Sequence, residues 1–370
     1  MVNRDRLVDT FSELVSIDSP SLGERQMCDA LKAKLAALGI DSREDDTGAK
    51  LGGNAGNLYA YVDGSVDLPP ILLSSHMDTV EPSRGKKAVV QPDGTITSDG
   101  TTVLGADDLS GVAAILEVLT VLKENNIPHR PIEVLFDVSE ELYCIGIQEY
   151  DFPTLKSKEA YIFDLSGPVG FAANQAPSIV SFSAEFHGRA AHAAFAPETG
   201  IHAIKAAADA IHAIQCGRVA DTTVNVGKIS GGIAGNIVPE YCTISGEVRG
   251  FNDENVRRQL AKIEAEVNRA AESVGAEVKF STETLCLAYL VDENDPVTHR
   301  FKKACAEMGL EGGLVSTYGG SDNNHFFHHG IKGLVVASGM NNCHSKQEYS
   351  SVSDLETAAE LILKMVLSEE

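Results

Sequence analysis

Three runs of β-forming residues each deliver a side chain that can carry chemistry. PILLSS (70–75) leads into His76-Met77-Asp78, IEVLFDV (132–138) is followed one residue on by Glu140-Glu141, and AYIFDL (160–165) carries Asp164 next to its end. Between the first two lies VAAILEVLTVLKENN, whose apolar residues recur at the i, i+3, i+4 spacing of a helix. Helices are also expected over 4–16 and 23–38, and a strand over 57–62. Strands alternating with helices predict an α/β sheet, in which functional groups gather at strand ends.

The pattern changes near Pro177. SIVSFSAEFHG, TTVNVGKISGG and CTISGEVRG alternate with period two, as antiparallel strands with one solvated face do. Helices are expected over 202–215 and 252–273. The reading is a compact α+β unit at 178–288 inserted into a catalytic domain made of 1–177 and 289–370. That domain resumes with a helix from Pro296, the strand GLVVAS and a last helix over 353–367. Without the insert about 260 residues remain, an ordinary size for one α/β domain.

Composition excludes several roles. Against 30 Lys and Arg stand 53 Asp and Glu, spread along the chain, for a net charge of −23. A phosphate-backbone binder needs a basic face, so neither nucleic acid nor an anionic membrane surface is an expected partner. No apolar stretch approaches the roughly 18–20 residues of a membrane span. The first residues are charged and helix-periodic, unlike a signal peptide. The seven cysteines are scattered and never form CxxC, which fits a reducing compartment. A cytoplasmic protein is expected.

Each chemical candidate also has a plain structural reading. His76 and Asp78 match a metal-bound imidazole oriented by a carboxylate, or a structural histidine with its acceptor. Asp107-Asp108 at the start of the long helix resembles ordinary capping. Glu140-Glu141 is either a solvated pair or two carboxylates that need a cation, one as ligand and one as general base. Asp164 ends an otherwise apolar strand, and His344 lies in a late loop. Jointly they are two imidazoles and a set of carboxylates on one scaffold, the donors that a pair of divalent ions requires when one carboxylate bridges them.

SSHMDTV, LGADD, the Glu pair, FDLSGPVG, GRAAHAAFAPETG, GNIVPE, YGGSDNNHF and the late His344 together resemble the dinuclear zinc peptidases and deacylases that include peptidase T, carboxypeptidase G and the aminoacylases. Within that family the chain is most similar to the peptidase T-like proteins. The resemblance implies a zinc-peptidase-type mixed sheet with flanking helices, the insert serving as a two-layer lid and dimerisation domain. It implies two divalent ions, zinc with manganese or cobalt as alternatives. His76, Asp107 and Asp164 would hold one; Asp107, Glu141 and His344 would hold the other, with Asp107 bridging and the Asp107–Asp108 peptide cis. Asp78 would hold the His76 ring, and Glu140 would be the general base that takes the proton of the attacking water. His192 would reach the neighbouring subunit's site, while Asn236, Arg249, Gly320 and Ser321 would contact substrate. The implied activity is cleavage of small peptides by an aminopeptidase or tripeptidase, in a homodimer. The alternative is an N-acyl amino acid amidohydrolase or carboxypeptidase with the same machinery.

Some residues depart from the family's pattern. Where it continues EEVGLIGA, this chain has Leu142-Tyr143-Cys144-Ile145-Gly146 after the Glu pair. Cys343 adjoins His344, a position open to oxidation. His325, His328 and His329 are more imidazole than the pattern has there; they are read as solvated helix residues, with extra surface metal binders as the alternative.

Overall fold

Four parallel strands bring the chemical residues to one edge. In the computed structural model, which describes residues 1–369, the order is Ile132–Asp137, Ile71–His76, Glu159–Leu165 and Lys332–Ala337. The two strands from Ile71 and Ile132 are buried throughout, as strands covered on both faces are. His76 stands opposite Asp137 in the register. Because neighbouring strands run the same way, the loops after His76, Asp137 and Leu165 leave the sheet together.

Antiparallel strands make the sheet mixed. Leu58–Val62 pairs with Ile132–Asp137 and then with Ser42–Glu44; on the other side Phe171–Ala176 pairs with Lys332–Ala337, and Gly313–Ser316 runs parallel to it. The predicted α/β arrangement is present. The helix Ala106–Glu124 is kinked at its start, where Asp107 and Asp108 have non-helical backbone, and the regular helix beyond them covers the run whose apolar periodicity predicted it. It packs against the sheet and against Arg4–Val15 and Val352–Leu367. Arg6 of the first helix donates to Glu117 and Glu124 on the long one, and Glu117 is buried.

The chain divides into two compact units. The first comprises Met1–Gln175, Leu290–Thr317 and the chain from Ser321; the second comprises Ala176–Tyr289 with Tyr318–Gly320. The second unit is a five-stranded antiparallel sheet in the order Gly217–Val219, Thr222–Gly231, Tyr241–Gly250, Ser178–His187, Glu277–Cys286. Val180, Phe182, Ala184 and Phe186, alternate residues of one strand, point to a single face. There they meet Ala203, Ala206, Ala207 and Ala210 of one helix and Val256, Leu260, Ile263 and Val267 of another. The period-two strands and the i, i+3, i+4 helices thus bury against each other as a two-layer unit.

Periodicity did not reveal a small three-stranded sheet of Val89–Val90, Thr95–Thr97 and Tyr349–Ser351. Its strands have two or three residues each, too few for a pattern, yet it ties down the end of the late loop. Among the described residues no helix is long and apolar enough to cross a membrane.

The long helix approaches the sheet closely at Gly111, where a Cβ would fall 2.7 Å from Phe163 Cβ and 2.7 Å from Ser75 Oγ. Gly111→Val is expected to overpack this contact and cost about 2–3 kcal/mol, read as a lower urea midpoint with an unchanged slope.

Candidate metal centre and active site

The loops that leave the parallel strands place seven of the predicted residues in one region of the first unit. His76 is the last residue of its strand and is buried. Its Nδ1 lies 2.9 Å from the backbone carbonyl of Asp78 and 3.3 Å from Asp78 Oδ1, which leaves Nε2 facing the acids. That Nε2 is 3.2 Å from Asp107 Oδ1 and 4.0 Å from Asp164 Oδ1. On the other side His344 Nε2 is 3.2 Å from Asp107 Oδ2 and 2.9 Å from Glu141 Oε2. The Asp107 carboxylate therefore lies between two imidazoles, one oxygen toward each, and the Asp107–Asp108 peptide is cis.

The donor set suits divalent cations. An ion about 2.0–2.2 Å from each tetrahedral ligand atom separates those atoms by roughly 3.3–3.5 Å, close to the His76–Asp107 and His344–Asp107 spacings. Ligand atoms of His76, Asp107 and Glu141 lie within 4.8 Å of one another, as do those of His76, Glu140 and Asp164. Glu141 Oε1 is buried without a hydrogen-bond partner among the described residues, an acceptor that a cation could satisfy.

The electrostatics make the same point. Burial, together with Glu140 and Asp107, pushes the Asp164 carboxyl well above the usual range. Burial also raises Glu140 strongly, helped by Glu141, Asp78 and Asp107 against the opposing pull of His76. Asp107 goes the other way: its burial is outweighed by hydrogen bonds from His344 and His76, which hold it well below the ordinary value. Those bonds and that to Glu141 raise His344 to about 10. Carboxylates this crowded in a dry site must either take up protons, the direction in which Glu140 and Asp164 are pushed, or meet positive charge.

Asp78 does more than orient one ring. Its Oδ1 accepts the backbone N–H of Glu140 at 3.0 Å, and its Oδ2 accepts that of Glu141 at 3.3 Å and the Ser21 hydroxyl at 2.6 Å. One carboxylate thus locates a candidate ligand, a candidate base and the backbone of a second ligand. Ser139, at φ +56°, turns the chain into the Glu pair, and its hydroxyl donates to buried Glu24 at 2.8 Å. Beyond the pair, Tyr143 and Cys144 take φ +67° and +58°. At Tyr143, though not at Cys144, the family's pattern EEVGLIGA has the glycine that this left-handed conformation favours. Cys144 is buried, and its thiol donates to Glu140 Oε1 at 3.2 Å.

Other candidates belong to the second unit. His192 pairs with Ile237 in a two-residue ladder and is exposed. Its Nδ1 accepts the N–H groups of Ala194 and Phe195, so the proton resides on Nε2 and an N–H donor remains available. Asn236 is exposed next to that ladder, its carbonyl accepting from Ala193. Arg249 is already engaged: its Nε and one terminal nitrogen donate to Glu247, and the other donates to the Tyr318 carbonyl. Gly320 is grouped with this unit, whereas Ser321 is buried in the first, its hydroxyl without a partner among the described residues. Of the three late histidines, His328 and His329 are exposed, with His329 stacked on Phe152, while His325 is partly buried. Cys343 contacts Ser166 Oγ at 3.1 Å, and burial raises its thiol strongly, the opposite of an activated thiolate.

Sequence reasoning missed Ser21, Glu24 and Glu348, whose hydrogen bonds hold the site from behind. Glu348 lies four residues after His344, but nothing local marks an acid in a loop as buried.

Comparison with known proteins points to a peptidase family. Residues 175–274 match the family described as peptidase dimerisation domain, and residues 57–165 match peptidase family M28. An uncharacterised Bacillus subtilis protein, YqjE, is 38% identical over 367 residues, 99% of each chain. The crystal structure of a tripeptidase from Staphylococcus aureus is 34% identical, covers 99% of this chain and 98% of its own, and superposes with a TM-score of 0.94. That of the aminopeptidase PepT from Bacillus cereus is 36% identical with the same coverages and a TM-score of 0.89. The chain belongs to the peptidase T-like branch of the M20 metallopeptidase family. It is accordingly a hydrolase of peptide bonds that depends on divalent metal ions.

Asp78→Ala leaves the N–H groups of Glu140 and Glu141 without their acceptor. A loss of about 3 kcal/mol is expected in the metal-free protein, measured by chemical denaturation beside wild type.

Proposed function

We propose that this protein is a dinuclear aminopeptidase or tripeptidase acting on small peptides. His76, Asp107 and Asp164 would hold one ion and Asp107, Glu141 and His344 the other, zinc being the metal that this nitrogen and carboxylate donor set suits. The observation that carries the reading is the Asp107 carboxylate set between two imidazole Nε2 atoms with Glu140 alongside. When bound, such ions polarise the scissile carbonyl and make water acidic enough to attack at neutral pH.

The rest of the chemistry falls to the chain. Glu140, its backbone fixed by Asp78, takes a proton from the attacking water and passes it to the nitrogen of the leaving amine as the C–N bond breaks. His192, with its available Nε2–H, would stabilise the developing oxyanion in the site of a second copy, and Asn236 beside it would donate to a substrate carbonyl. The match to a dimerisation domain supports a homodimer of this kind, joined through the insert at 178–288. For Arg249 to receive a substrate carboxylate, Glu247 must release its guanidinium; Gly320 and Ser321 would also contact substrate.

The test assays wild type and Glu140→Gln on tripeptides, N-acetyl amino acids and N-blocked dipeptides, with metal content measured on both. Wild type is expected to cleave the free tripeptides. The variant should retain its metal and lose about 10²–10⁴-fold in kcat. Turnover of blocked substrates alone would favour the acylase or carboxypeptidase alternative, and near-normal kcat in the variant would remove Glu140 from its role.

A further inference from the structure

We propose that Glu348 is a positioning residue for the metal centre, its carboxylate fixing the turn at 104–107 so that Asp107 can offer one oxygen to each of two cations. This rests on the two-ion reading above and extends it to a residue that lies outside the ligand set.

Glu348 Oε2 accepts the backbone N–H of Leu104 at 2.7 Å and that of Gly105 at 2.7 Å, while Oε1 accepts that of Asp107 at 2.9 Å. All three donors stand in the turn before the long helix, where Gly105 takes φ +79° and the backbone of Asp107 and Asp108 is not helical. A buried carboxylate from more than 240 positions along the chain accepts from all three.

The same loop reaches Asp107 twice. Its ends are joined where Asn341 and Tyr349 exchange backbone hydrogen bonds at 2.9 and 3.0 Å. Between those ends His344 meets the Asp107 carboxylate, and Glu348 holds the Asp107 backbone. His344 is exposed and Glu348 is buried, so Glu348 is the fixed point from which the loop presents the imidazole. A bridging carboxylate must place two oxygens on two ions at once, and metal–oxygen distances tolerate errors of about 0.2 Å. Freeing the turn from Glu348 removes that precision without removing any ligand.

The experiment titrates metal-free protein with Zn²⁺ against a chelator of known affinity, for wild type, Glu348→Gln, Glu348→Ala and Glu133→Gln. Glu133 is the matched control: its buried carboxylate accepts from the N–H groups of Lys156 and Ser157 and from the Tyr59 hydroxyl, at the far end of its strand. Glutamine at 348 can still accept from two of the three donors but turns an amide toward the third. Zn²⁺ affinity is expected to fall about tenfold in Glu348→Gln and toward about 100-fold in Glu348→Ala, with Glu133→Gln losing thermal stability but no affinity. Should Glu348→Ala fail to fold, Glu348→Gln, checked by circular dichroism, carries the comparison alone. Wild-type affinity in folded Glu348→Gln would overturn the proposal, as would an equal loss in Glu133→Gln, which would trace the effect to stability. Wild type that binds fewer than two ions would overturn the two-ion reading itself, a result distinguishable from the other two.

Discussion

The arrangement at Asp107 governs everything else in the first unit. A carboxylate with an imidazole on each side, further acids behind it and little water around it is unstable unless positive charge arrives. In the metal-free geometry the two histidines supply that charge, which is why Asp107 is held acidic while His344 is pushed up to about 10. In the two-ion reading proposed above, divalent ions would answer the same demand with more charge at these atoms.

Meeting that demand takes supports from distant parts of the chain. Asp78 ties the strand ending at His76 to the turn that bears the Glu pair, and Ser21 closes its remaining oxygen from the first helical region. Ser139 and Glu24 brace the turn before Glu140. Glu348 braces the turn before Asp107, and the small sheet formed with Thr95–Thr97 holds the strand that follows Glu348. Each brace is a buried carboxylate accepting N–H or hydroxyl donors, stronger than neutral hydrogen bonds and costly to leave half made. This face is thus tied together by buried carboxylates, while the insert is built on another principle. Its core is alternation alone: apolar faces of five strands under two helices, with few charged groups inside.

Much of this was legible before any coordinates. Parallel strands place their C-terminal ends at one edge, so the residues that follow PILLSS, IEVLFDV and AYIFDL had to be neighbours once those strands were recognised. The insert's alternation likewise implied an antiparallel sheet with one covered face. Less legible were features whose signal is not periodic. The strands at Val89–Val90 and Tyr349–Ser351 are too short for a pattern. Arg249 was expected to contact substrate, with a sheet-surface ion pair the plain alternative, and Glu247, two residues before it on the same strand face, holds its guanidinium.

The sequence by itself determined which residue types were available and which local segments would present them, because hydrophobic period and turn chemistry are short-range properties of the chain. It also carried the family resemblance, read from motifs spread over nearly the whole length. Only the tertiary structure decided which oxygen of Asp107 faces which imidazole, that Asp78 grips the backbone of both glutamates, and that Glu348 holds a turn more than 240 residues away. Those choices rest on distances of a few tenths of an ångström between segments remote in the chain, and no local preference encodes them.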